Sequence, residues 1–144
     1  MVLSCEVLPN SICFPPTLNA PIILSNNERS YEYLRILIKS NKIPSVIIHL
    51  DFKNINIFRK KILKLINNNK INYKSFKSDN IDKKNIEKFI INLRDKIIIY
   101  SGYGGKIIKN RSVLKKKILL HSHTGKLPNY KGSNTIYYSL INER

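Results

Sequence analysis

The stretch Leu119-Leu120-His121-Ser122-His123-Thr124-Gly125-Lys126-Leu127-Pro128-Asn129-Tyr130-Lys131-Gly132 joins an apolar run to an abrupt, turn-rich loop. Lys117 to Leu120 reads as a short strand, and Gly125, Pro128 and Gly132 interrupt regular structure directly after it. Asn134 to Asn142 follows as a helix, with Ile136, Tyr137, Leu140 and Ile141 available to a core and Ser133 or Asn134 as its cap. Strand, loop, helix is the unit of open parallel sheets, which place their chemistry outside the carboxyl ends of the strands. On an extended chain His121 and His123 share one face, because side chains repeat every two residues. Imidazole is the side chain best poised for proton transfer near neutral pH. A polar loop whose histidines only hydrogen-bond backbone satisfies the same pattern.

The unit recurs upstream. Pro21 to Leu24 is a buried-type strand, Ser25-Asn26-Asn27 a turn offering three capping residues, and Glu28 to Lys39 a helix with Tyr31, Leu34, Ile36, Leu37 and Ile38 in a broad stripe. Asn26 sits in a turn whose helix N-terminal amides could meet an anion. No GxGxxG accompanies the turn, so no dinucleotide site is read. Ser45 to Leu50 is nearly continuous in apolar character, as central parallel strands are, and His49 reads as a strand-end residue. Asn54 to Asn67 is a basic amphipathic helix with Phe58, Ile62, Leu65 and Ile66 inward. Tyr73 to Phe76 is polar enough for an edge strand, and Asn80 or Asp82 starts a helix with Ile86, Phe89, Ile90 and Leu93 inward.

Lys96 to Tyr100 is the fourth strand, and Ser101-Gly102-Tyr103-Gly104-Gly105 follows at its carboxyl end. Three glycines in four positions let backbone approach a ligand closely and permit positive φ. The GK-[ST] ending of a Walker loop is absent, since Ile107 follows Lys106. Ile107 to Lys116 reads as a connector with a helical turn. Alternating strands and helices predict a Rossmann-like parallel sheet with helices on both faces, ordered 3-2-1 with the fourth and fifth strands across the switch point.

The chain of 144 residues is long enough for one domain with its own core. Residues 1–20, broken by Pro9, Pro15 and Pro16, read as an irregular arm, and residues 21–144 as the α/β domain. No run approaches the about 18 apolar residues that span a bilayer, and the first residues lack the basic start and apolar core of a signal peptide, so a cytoplasmic protein with no membrane partner is expected. Cys5 and Cys13 have no metal or CxxC spacing and are expected as free thiols. The net charge of +17 permits RNA or another polyanion as a partner, although lysine is spread along the whole chain rather than gathered in one stripe.

Taken together, Ser101-Gly102-Tyr103-Gly104-Gly105, the segment His121 to Gly132 and Ser133-Asn134-Thr135-Ile136-Tyr137 resemble the folate-dependent formyltransferases. That family includes the methionyl-tRNA, glycinamide ribonucleotide and sugar-nucleotide N-formyltransferases. Its signature is an Asn, one residue, a His, then a loop ending Leu-Pro, two residues and a basic residue with Gly. His123 matches the catalytic histidine, Leu127-Pro128-Asn129-Tyr130-Lys131-Gly132 matches the loop, and His121 stands where the family has its Asn.

The resemblance implies transfer of a formyl group from 10-formyltetrahydrofolate to a primary amine, a small amine or an aminosugar nucleotide. It implies that His123 stabilises the oxyanion or relays the amine proton, with His121 donating a ring N–H in place of the Asn amide. Because imidazole titrates and an amide does not, activity is then expected to be more pH-sensitive. Tyr103, Gly104, Gly105, Thr124, Gly125 and Leu127 would line the folate side, Asn26 would lie in the loop near the substrate, and Lys131 would anchor an anionic substrate. The family's catalytic Asp lies beyond the signature helix, and this chain stops at Arg144. The expectation is therefore a truncated domain with impaired turnover alone, completed by another chain or by self-association. A non-catalytic formyltransferase-like binding module and a basic RNA-binding domain are the alternatives.

Overall fold

The structure, a computed structural model, describes residues 19–52 and 56–122. Five strands, β1 (Ile22–Ser25), β2 (Ile47–Leu50), β3 (Tyr73–Phe76), β4 (Ile97–Ser101) and β5 (Ile118–Leu120), alternate with four helices, α1 (Glu28–Lys39), α2 (Ile57–Asn68), α3 (Lys84–Asn92) and α4 (Arg111–Lys116). All strand pairings are parallel, in the order β3-β2-β1-β4-β5. This is a Rossmann-like α/β fold with the expected strand order, and the switch point lies between β1 and β4.

The strands form where apolar runs can be buried on both faces. Ile22, Leu24, Ile47 and Ile99 face Leu34 and Leu37 of α1 and Ile62 and Ile66 of α2. Ile23, Ile48, Leu50, Phe76, Ile98 and Tyr100 face Ile86 and Ile90 of α3 and Val113 of α4. Helices therefore cover both faces, and each fully buried Leu or Ile contributes about 1.5–3 kcal/mol. β3 exposes three of its four residues, which fits its place at the edge.

Caps set where the helices begin. Of the three capping candidates after β1, Asn27 is the one used: its side chain accepts from the Ser30 N–H. Asn56 does the same for α2 and Asn110 for α4. The start expected for α3 at Asn80 or Asp82 is displaced to Lys84, with Lys83 at the cap position and no side-chain cap. Asp82 is used elsewhere, accepting from the main-chain N–H groups of Lys109 and Asn110 before α4. Lys117, one of three consecutive lysines, is buried and donates to the carbonyls of Leu93 and Asp95, tying the start of β5 to the exit of α3. Among the described residues no helix is long and apolar enough to cross a membrane.

The expected arm lies outside the described residues except for Asn19 and Ala20, and Ala20 packs in the α1/α2 core. The expected helix at Asn134 to Asn142 also lies outside them.

Candidate functional site

Two groups of polar residues meet at the carboxyl ends of the strands. The first closes the end of β1 and β2. His49 is wholly buried at the end of β2, and its Nε2 lies 2.7 Å from Asn26 Oδ1. Asn26 Nδ2 donates to Asp51 Oδ1 at 2.9 Å, so Asn26 Oδ1 is the acceptor and His49 Nε2 carries the proton. Burial pushes the His49 imidazole below its ordinary value and keeps it neutral, although the carboxylate of Asp51 works in the opposite direction.

Asp51 in turn receives a two-pronged contact from Arg59, Nε to Oδ1 at 2.9 Å and a terminal nitrogen to Oδ2 at 2.8 Å. The Arg59 guanidinium, with the Asn26 amide beside it, holds this carboxyl down to about 2, against the desolvation that would raise it. The main chain of Asn26 is engaged as well. Asn56 Nδ2 donates to its carbonyl at 2.8 Å, and its N–H points at the Tyr103 hydroxyl at 3.4 Å. Asn26, the expected substrate contact, is 4% exposed and holds His49, Asp51, Asn56 and Tyr103 together.

Serines stitch the switch point. Ser30 Oγ donates to the Ser101 carbonyl at 2.6 Å, Ser25 Oγ reaches the same oxygen at 3.1 Å, and the Ser25 N–H donates to Ser30 Oγ at 3.0 Å. Arg29 donates to the Gly102 carbonyl at 2.7 Å from the first turn of α1.

The second group is the exit of β4 and β5. Because these strands are neighbours, with Ile99 opposite Leu120, the glycine-rich loop and His121 leave adjacent strand ends. His121 Nδ1 lies 3.0 Å from the Tyr100 carbonyl, and its ring meets the Tyr100 ring edge-on at 6.0 Å between centroids. A carbonyl only accepts, so Nδ1 carries the proton and, in the neutral ring, Nε2 is the lone-pair nitrogen. The neutral ring therefore carries its N–H on Nδ1.

Tyr103 turns its hydroxyl back toward β2. It donates to the Phe52 carbonyl at 2.9 Å and stands 3.2 Å from that of Leu50. Gly104 and Gly105 are exposed, a side chain on either would meet open space, and Gly105 takes φ 71°. Gly102 differs, since a methyl there would lie 2.3 Å from the Tyr100 hydroxyl. Lys106, 2.6 Å from Asp79, anchors the far end of the loop to the exit of β3.

His121, Tyr103, Gly104, Gly105 and Asn26 thus gather along one edge of the sheet. His123, Thr124, Gly125, Leu127 and Lys131 lie outside the described residues. Sequence reasoning passed over Asp51 and Arg59. An acid placed directly after a buried strand, with an arginine in an otherwise lysine-rich helix, was the available signal, because only guanidinium matches a carboxylate with two parallel donors. Among the described residues no group of three or more His, Cys, Asp or Glu could hold a metal ion. No known protein family and no curated protein matches this chain.

Proposed function

We propose that the chain is a folate-dependent formyltransferase-type domain acting in the cytoplasm. It would bind 10-formyltetrahydrofolate against the exit of β4 and pass the formyl group to a primary amine, a small amine or an aminosugar nucleotide. The observation that carries this reading is the adjacency of the exposed Gly104-Gly105 loop and His121 at neighbouring parallel strand ends. An acyl-type transfer to an amine needs a proton acceptor for the attacking nitrogen and donors for the oxyanion. His121 stands at the β5 exit with its Nδ1–H on the Tyr100 carbonyl, and His123, two residues on, is the residue assigned to the oxyanion or the proton relay. Gly104 and Gly105 leave room for a flat ring to lie against backbone. Lys131 is assigned to an anionic group of the acceptor.

A binding role without turnover is favoured by a second observation. Among the described residues the aspartates at this edge are engaged: Asp51 by Arg59 and Asn26, Asp79 by Lys106, and Asp82 by main-chain N–H groups.

Calorimetric titration with 5-formyltetrahydrofolate, a stable analogue, tests the reading beside a His123→Ala variant. Saturable binding that the variant weakens is expected. A folded chain that binds no folate would rule the reading out.

A further inference from the structure

A groove of about 300 Å³ lies between the β3 edge and α3. It is lined by Lys74, Asn85, Lys88, Phe89, Asn92 and Leu93. Asn85, Lys88, Phe89 and Asn92 fall at i, i+3, i+4 and i+7 of α3, so they form one stripe of that helix. Lys74 stands across from them on the open edge strand, its ammonium 5.2 Å from the centre of the Phe89 ring. The groove contains no carboxylate, and among the described residues neither Lys74 nor Lys88 is paired with one.

We propose that this groove binds single-stranded nucleic acid. Two cations at an open channel fit the phosphates of a passing strand, asparagine amides fit base edges, and the half-buried Phe89 ring supplies an apolar surface for a base to pack against. The volume is at the small end of the range for enclosed ligand pockets, and the groove is open to solvent, which suits a strand passing along it. Electrostatics favour a polyanion over an isolated acidic side chain, since the whole chain carries +17 and binding releases the counterions condensed on a phosphate backbone. The site is separate from the folate reading and stands or falls without it.

The experiment is fluorescence anisotropy of the full chain with labelled 12-mers of oligo(U) and oligo(dT) across a salt series. Replacing Lys74 and Lys88 by Gln is expected to weaken binding about tenfold at low salt and to flatten the log–log salt slope by about 1.4, the share of two phosphate contacts. Lys60→Gln with Lys64→Gln removes equal charge from the exposed face of α2 and is expected to stay within about twofold. Cross-links from a 4-thiouridine oligomer to the unaltered chain are expected within residues 73–93, and the tighter of the two oligomers identifies RNA or DNA as the source. Equal weakening by the α2 control, cross-links scattered over the surface, or an acidic peptide bound through Lys74 and Lys88 in place of either oligomer would overturn the proposal.

Discussion

The two halves of the sheet's carboxyl edge each carry a histidine at or just past a strand end and finish in opposite states. Over β1 and β2, Asn26, His49, Asp51, Arg59 and Asn56 are spent on one another, with His49 and Asn26 buried. Over β4 and β5, Gly104, Gly105 and His121 face solvent beside a half-buried Tyr103. A polar residue at a strand end is thus no guide to a binding site until its hydrogen bonds are traced. The closed half acts as the frame, and Tyr103 joins it to the open half by holding the loop after β2.

The comparison breaks most readily at Asn26. Asn26→Ala strips the acceptor from a buried His49 N–H and a donor from Asp51, and is expected to cost about 3 kcal/mol in urea unfolding. A loss of less than about 1 kcal/mol would mean that the closed half is not a frame.

Glycine substitutions sharpen the other side. Gly102→Ala must displace the buried Tyr100 ring and is expected to cost about 2 kcal/mol, whereas Gly104→Ala, facing open space, should fall within about 0.5 kcal/mol of the parent. Equal costs, read as shifts in thermal midpoint, would contradict the packing described at the β4 exit.

A smaller effect is carried by pH. His49 is held neutral in the fold below its ordinary value, so the unfolded chain takes up the extra proton as pH falls. The stability present above about pH 6.5 should therefore decline by as much as about 1.4 kcal/mol per unit below it, until the lowered folded value is reached. His49→Gln keeps a donor for Asn26 and should remove that decline between pH 6.5 and 5. Asp51 acts in a separate window. Its carboxyl is depressed to about 2, so its contribution of roughly 1–2 kcal/mol, after solvent screening, is present above about pH 4 and is lost as pH falls toward 2.

The frame's strands were legible in the sequence and its closure was not. Runs such as Ile22–Leu24 and Ile97–Tyr100 have no polar alternation, which two-sided burial requires, and the polarity of Tyr73–Phe76 marked the edge. Strand order followed from chain connectivity. The Asn26 contacts reach His49 and Asp51, 23 and 25 residues away, and depend on rotamers that no local pattern encodes. For the same reason three capping residues after β1 looked equivalent, although only Asn27 directs its oxygen at the Ser30 N–H. At the candidate site, the neighbouring exits of β4 and β5 were legible as two motifs, while the protonated nitrogen of His121 required the position of the Tyr100 carbonyl.

The most direct test of the open and closed halves is a ¹⁵N-resolved titration of the full chain with 5-formyltetrahydrofolate. Saturable shifts confined to the Tyr103–Lys106 amides and the His121 ring, with Asn26 and Asp51 unmoved, are predicted. Shifts centred on Asn26 and Asp51, or none in a folded chain, would contradict the account.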